Sequence, residues 1–293
     1  MKRVTIRVPA TTANLGPGFD SFGLALNLYN TVTLEEQDSG LDITGCHPDY
    51  TNRNNLVYVA YKAAMAAMNL PVRGLKIHID ANIPISRGLG SSAALLIAGA
   101  MGANALHDFP LTLKQILEIT TPLEGHPDNL APGIFGGLTA SMTHEDKPLS
   151  VVFPLHPDWK FLALVPDFPL STAAARAVLP QHLTRADAVH NIGRGALVLK
   201  ALELGDEELL SAAMADKVHQ PYRKALIEDY EPIEQLVKSN GAAFCLSGAG
   251  PTLLCITRNP DLQDILESQL RTLTKATWKV LPLKAEHRGA QVL

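Results

Sequence analysis

The sequence predicts an α+β fold with layered sheets, and three observations carry that prediction. Stretches of alternating β-branched and polar residues mark strands, and Ala-rich stretches with helical spacing mark helices. The two kinds occur in mixed runs, which a strictly alternating α/β chain would not show. A length of 293 residues allows two ordinary domains, each with its own core.

Val4, Ile6 and Val8 alternate with polar neighbours as a strand does, until the run Asn14-Leu15-Gly16-Pro17-Gly18 breaks the pattern. Leu24, Leu26 and Leu28 resume it as a second strand. Residues 54–70 are rich in Ala and Met at helical spacing, with Pro71 and Gly74 as stop signals. Leu75, Ile77 and Ile79 form a strand, and a glycine-containing turn leads from it into the Ala-rich helix 92–106. Thr112 with Gln115 fits a capping box opening a short helix that carries Glu118, and Pro122 is expected to close it. A loop over 124–137 follows. The polar, Pro-containing stretch 144–158 holds a weaker strand and marks the boundary, giving domains 1–150 and 151–293. Beyond it come a strand at 161–165 and helices at 184–204, 206–219 and 231–239. Strands at 242–246 and 252–256 flank a glycine turn.

Composition narrows the classes of function. The formal charge of -4 comes without a block of Lys and Arg, so the footprint of a nucleic-acid binder is absent. No apolar run reaches membrane-spanning length, and the first eleven residues lack a signal-peptide core, so no membrane partner is expected. Cys46, Cys245 and Cys255 form neither a CxxC pair nor an even framework, which points to a reducing, cytoplasmic setting. A homodimer is compatible with the chain.

The sharpest local signal is Pro84-Ile85-Ser86-Arg87-Gly88-Leu89-Gly90-Ser91-Ser92-Ala93-Ala94, where a strand ends and a helix begins. Glycines let backbone approach an anion, and the unpaired first amides of a helix can point at phosphate oxygens. Ser91 and Ser92 add hydroxyls, one of which can ligate Mg²⁺. A plain helix cap after a glycine turn would look similar. The segment Gly88-Leu89-Gly90-Ser91-Ser92-Ala93 also fits the permissive dinucleotide pattern GxGxx[GA]. That rival needs an acid at the end of a second apolar strand about 20 residues on. Asp108 instead ends an Ala-rich helical stretch.

At this loop the sequence resembles the GHMP kinases, the superfamily of galacto-, homoserine, mevalonate and phosphomevalonate kinases. Two more blocks match in order, Pro9-Ala10-Thr11-Thr12-Ala13-Asn14-Leu15-Gly16-Pro17-Gly18-Phe19-Asp20 and Leu246-Ser247-Gly248-Ala249-Gly250-Pro251-Thr252. The first of these is similar to the homoserine kinases in particular, as are Gly125-His126-Pro127-Asp128-Asn129, Ser171-Thr172 with Arg176, and His219-Gln220-Pro221-Tyr222-Arg223. The resemblance implies an N-terminal ribosomal-S5-like domain, a C-terminal ferredoxin-like domain and an active site between them. It implies an ATP- and Mg²⁺-dependent kinase acting on the side-chain hydroxyl of L-homoserine. Ser86 and Arg87 depart from the Gly and variable residue that several superfamily members carry, which leaves the entry geometry of the loop open.

A homoserine site must fix a carboxylate, fix an ammonium and hold a hydroxyl in line with a γ-phosphate. The resemblance places Arg176 and Arg223 on the carboxylate, where planar guanidinium forks are the best grip. By type alone both would pass for surface arginines. Asp20 and Asn14 fit the ammonium and hydroxyl ends, although Asn and Asp are also common turn residues. His126 is expected to donate to substrate or orient its loop, and Thr172 to line the site. The match also implies that Glu118 shares Mg²⁺ with Ser92, so that Asn14, Ser92 and Glu118 form the catalytic set. Asp128 is the candidate general base by type, but phosphoryl transfer through a loose transition state needs chiefly alignment, so no essential base is expected. Another GHMP kinase, or a homologue that only binds ligand, is the alternative; Asp20 argues against a mevalonate kinase, whose substrate has no ammonium.

Overall fold

The computed structural model describes residues 2–293 and divides them between two sheets. In chain order the first part runs β1 (Arg3–Ala13), β2 (Phe22–Gln37), β3 (Leu41–Thr44), α1 (Leu56–Ala67), β4 (Gly74–Ala81), α2 (Ser91–Leu106), α3 (Leu113–Glu124), α4 (Leu130–Phe135), β5 (Leu138–His144) and β6 (Lys147–Phe153). Then follow β7 (Lys160–Pro166), α5 (Thr172–Ala177), α6 (Arg185–Leu204), α7 (Glu207–Ala213), α8 (Gln220–Arg223), α9 (Tyr230–Ser239), β8 (Ala243–Leu246), β9 (Leu253–Thr257), α10 (Leu262–Leu273), β10 (Trp278–Leu283) and β11 (Gln291–Val292). The mixture of helix and strand is the α+β class that the sequence predicts.

The first sheet has the order β11-β1-β2-β4-β3, with β5 also on β2 and β6 on β5. In β1, Val4, Ile6 and Val8 point into the core as their alternation requires. A register shift at Pro9/Ala10 follows, and from there to Ala13 both faces are covered. That doubly covered end delivers the chain into the loop that carries Asn14 and Asp20. Helix α2 is apolar all round and almost wholly buried, as such a helix must be.

The second sheet, β10-β7-β9-β8, is antiparallel throughout, and the order β7, α9, β8, β9, α10, β10 is the β-α-β-β-α-β arrangement of a ferredoxin-like unit. Strands β7, β8 and β9 are buried on both faces, while the edge strand β10 is partly exposed. Phe161, Ala163 and Val165 join the main core, while Leu162 and Leu164 join a second core with α9 and α10. A central strand of this kind reads as a continuous apolar run.

Three expectations need correction. Pro122 does not close α3, because it sits in the last turn, where a missing N–H costs one bond, and the helix runs on to Glu124 until Gly125 takes φ 100°. The single helix expected over 206–219 is broken after Ala213. There the Asp216 carboxylate takes the amides of Val218, His219 and Gln220, which an unbroken helix would need for itself. The expected boundary at 150/151 falls inside β6, and the chain changes sheets between Phe153 and Lys160. It also crosses back, since β11 pairs with β1 through Ile6↔Val292 and Arg7↔Gln291.

Candidate active site

A cleft of about 430 Å³ opens between the two sheets, with the candidate phosphate loop, residues 84–94, on one wall and the C-terminal blocks on the other. Gly88 and Gly90 both hold left-handed φ, of 73° and 69°. Neither has room for a side chain: a Cβ would come 2.3 Å from Ser247 O at Gly88 and 1.9 Å from Thr11 Oγ1 at Gly90. No side chain caps α2, so its first amides stay open towards the cleft. Ser247 Oγ, 2.6 Å from Gly88 O and 2.9 Å from Thr12 Oγ1, ties the loop to both domains.

At the loop entry Ser86 itself adopts φ 54°, the conformation a glycine would take. Arg87 lines the cleft with its guanidinium bonded to backbone carbonyls. Its Nε and Nη2 donate to the carbonyls of Pro166 and Asp167, at 3.0 and 2.9 Å, and strut the loop against the end of β7. Pro84 and Ile85 line the cleft, while Leu89, Ala93 and Ala94 send their side chains into the core and leave only backbone to the site.

Ser92 meets Glu124, not Glu118. The Ser92 hydroxyl donates to Glu124 Oε2 at 2.7 Å, and both residues line the cleft, which Glu118 does not. Six residues along a helix mean about 9 Å of rise and a turn of about 240°, so the two glutamates cannot share a target. Because α3 continues past Pro122, its last residue reaches the loop. Burial raises the Glu124 carboxyl above its usual range, aided by Asp128 and opposed by the Ser92 hydroxyl and His126. A carboxylate and a hydroxyl beside a bed of open amides are the oxygen donors that a hard cation takes.

The other end of the cleft collects Asn14, Asp20, His126, Thr172, Arg176 and Arg223. Asn14 is buried, donating from Nδ2 to Gly248 O at 2.7 Å and accepting the Asp20 amide at 2.9 Å, so it fastens the first block to the third. Asp20 and Arg176, expected on opposite ends of a substrate, here pair with each other: Nη2 to Oδ1 at 2.8 Å and Nη1 to Oδ2 at 3.2 Å. Arg223 is 1% exposed, against the surface arginine its type suggests. It donates to Ala175 O at 3.0 Å and Gly248 O at 3.3 Å, and no carboxylate lies within 4 Å of it among the described residues. Burial and then the Arg176 charge lower its pKa to about 10, and it stays cationic at neutral pH. An unpaired buried charge is costly, so a guanidinium held this way can receive an anion. Thr172 stands on the exposed lip, at the start of α5.

His126 Nδ1 lies 2.6 Å from Asp128 Oδ1, which also accepts from Asn129 Nδ2 at 3.1 Å. Burial works to lower His126, but the Asp128 bond and charge, with Asp20 behind them, raise it overall. Asp128 is buried and both of its donors are neighbours in sequence. Its carboxylate orients that loop.

Sequence reasoning misses Glu124, whose only signal is its place one residue before the Gly125-His126 block. It also misses Asn54, Asn55 and Tyr50 at the far end of the cleft, and Asp216, which accepts four hydrogen bonds and seats the turn before Arg223.

Comparison with known proteins bears on the same regions. Residues 55–137 match the family of GHMP kinases N terminal domains, and residues 198–275 match GHMP kinases C terminal. The homoserine kinase of Clostridium botulinum (strain ATCC 19397 / Type A) is 44% identical over 292 residues, covering 99% of this chain and 98% of that protein. The homoserine kinase of Crocosphaera subtropica is 41% identical over 100% of this chain and 96% of its own. The crystal structure of homoserine kinase from Cytophaga hutchinsonii shares the fold, with a TM-score of 0.89 at 24% identity, over 100% of this chain and 98% of that one.

Proposed function

Because the chain belongs to the homoserine kinase family of the GHMP kinases, we propose that it transfers the γ-phosphate of ATP to the side-chain hydroxyl of L-homoserine, giving O-phospho-L-homoserine and ADP. The observation that supports this acceptor best is Arg223, a buried cation with no acid of its own, across the cleft from a phosphate loop. An acceptor bearing a carboxylate answers it, and an uncharged sugar does not.

In this reading the open amides of α2 and the backbone of Gly88 and Gly90 hold the triphosphate. Ser92 and Glu124 would hold Mg²⁺, which when bound supplies charge neutralisation for the phosphates. Arg176 and Arg223 grip the carboxylate, with Thr172 beside them. Asp20 turns to the ammonium, near His126. Asn14, fixed at both ends of its amide, has one Nδ2 proton left for the acceptor hydroxyl. Asp128 keeps its place under His126 and takes no proton from the alcohol, since alignment and electrostatics carry a loose phosphoryl transfer.

Among the described residues no helix is long and apolar enough to cross a membrane. All three cysteines are free, including Cys245 and Cys255 on the paired strands β8 and β9, which favours a reducing cytoplasmic setting. A homodimer would cover the exposed Val189 and Ile192 of α6, and light scattering showing only the single-chain mass would reject it. The reaction itself is tested by coupled ADP release with homoserine, mevalonate, galactose and threonine. Homoserine should give the highest kcat/KM, and a higher value for mevalonate or galactose would refute the assignment.

A further inference from the structure

Phe19 belongs neither to the phosphate loop nor to the hydrogen bonds of the acceptor end, yet its ring touches three groups that shape that end. The guanidinium carbon of Arg223 lies 5.1 Å from the ring centroid and that of Arg176 lies 5.6 Å away. His219 stacks on the same ring, with centroids 5.2 Å apart and planes 26° from parallel. The stack is itself pinned. His219 Nε2 donates to Gly16 O at 2.8 Å, which leaves Nδ1 to accept from Arg223 Nη1 at 3.3 Å, and burial holds the imidazole pKa below its usual value against the pull of Asp216.

Two guanidiniums meant for one carboxylate repel each other until that carboxylate arrives. Asp20 relieves Arg176, but Arg223 has no acid partner. A second carboxylate would relieve Arg223 as well, and would then compete with the substrate for the same cations. An aromatic face offers negative quadrupole charge with no formal charge to displace. Both guanidinium carbons lie within the reach of about 6 Å over which that attraction acts.

We propose that Phe19 is a positioning residue for carboxylate recognition: its ring is the uncharged platform that holds the guanidiniums of Arg176 and Arg223 together before the substrate binds. This rests on the reading of the acceptor as an α-amino acid. An aliphatic residue of similar bulk would fill the space and lose the platform.

The test is steady-state kinetics of the full chain with homoserine, with the amino alcohol that lacks the carboxylate, and with varied ATP. Phe19→Leu should raise the homoserine KM about tenfold while kcat stays within about threefold. The KM for ATP and the kcat/KM for the amino alcohol should not move, and Phe19→Tyr should stay near wild type. Progressively fluorinated phenylalanine at position 19 keeps the shape and drains the ring face, so it should raise the homoserine KM step by step. A homoserine KM indifferent to fluorination overturns the proposal, as does an equal loss on the amino alcohol. Should Phe19→Leu fail to fold in a thermal melt, the fluorinated series decides alone. Wild-type protein that leaves homoserine unphosphorylated would instead overturn the functional reading on which the proposal stands.

Discussion

Replacing Asp20 by Asn should convert part of the preference for a zwitterion into a preference for a simple hydroxy acid. Asp20 has φ 54°, a conformation that Asn tolerates, and its backbone N–H keeps its bond to Asn14, so the substitution removes charge with little backbone strain. In the free protein the lost pair with Arg176 is about one-third exposed at both ends, 33% and 38%, so its removal should cost stability no more than about 1 kcal/mol. In the complex the substrate ammonium loses its counter-charge inside a closed cleft, where a hydrogen bond to a charged group is worth about 2 kcal/mol, or about 30-fold in kcat/KM for homoserine. Arg176, no longer held by Asp20, becomes freer for a carboxylate. The hydroxy acid that lacks the ammonium should therefore gain up to about fivefold. The ratio of the two kcat/KM values would then shift by about 10². Initial-rate ADP release on both substrates, with a thermal melt as control, measures it. An equal fall on both would show that Asp20 only shapes its loop, and the charge argument would be refuted.

Glu124→Gln should raise the Mg²⁺ concentration for half-maximal rate, because a neutral amide is a poorer ligand for a hard cation, whereas Glu118→Gln should leave the titration unchanged; the reverse pattern would restore Glu118. Asp128→Asn should cost less than about 10² in kcat, since a positioned base is worth about 10² to 10⁴ and none is expected here. A folded variant that binds both substrates yet loses more than about 10³, together with the acidic limb of its pH profile, would make Asp128 the base. Burial works to raise Asp216, but His219 and the donors from Asn191, Gln220 and Val218 outweigh it, and the carboxyl is held below its usual range. A carboxyl depressed in the folded state contributes stability above its unfolded pKa of about 3.9, and that contribution is lost as pH falls through the lower folded value. Urea midpoints of wild type and Asp216→Asn should thus differ at neutral pH and converge as the pH falls below the unfolded value of about 3.9 and on through the lower folded one. A gap that persists in acid would mean the carboxylate charge is not what stabilises the turn.

What the sequence makes legible follows from how locally each feature is determined. The phosphate loop is written in consecutive residues, because left-handed glycines and an uncapped helix start need no distant partner to be recognised. Strand β7 and helix α2 are likewise visible as apolar runs. The glutamate that meets Ser92 is not, since choosing between Glu118 and Glu124 depends on whether α3 survives Pro122, and the last turn tolerates a proline that an interior turn would not. Asp216 is equally silent by type: a carboxylate after a helix reads as solvated until Asn191, 25 residues earlier, closes over it at 2.6 Å. Arg223 leaves the surface class that its type suggests only because Phe19 and the turn at Gly248 enclose it.

The return of the chain to the first sheet sets the mechanics of the cleft. Besides the pairing of β11, Asn27 and Lys284 exchange hydrogen bonds, Glu286 donates to Ala25 and Ala290 donates to Gly133. The two halves are therefore joined by two covalent crossings, one after Phe153 and one after Leu283, and not by a single swinging tether. With Phe161, Ala163 and Val165 packed into the core of the first sheet and Asn14 bonded to Gly248 O, the walls that carry Ser92 and Arg223 are held by packing as well as by backbone.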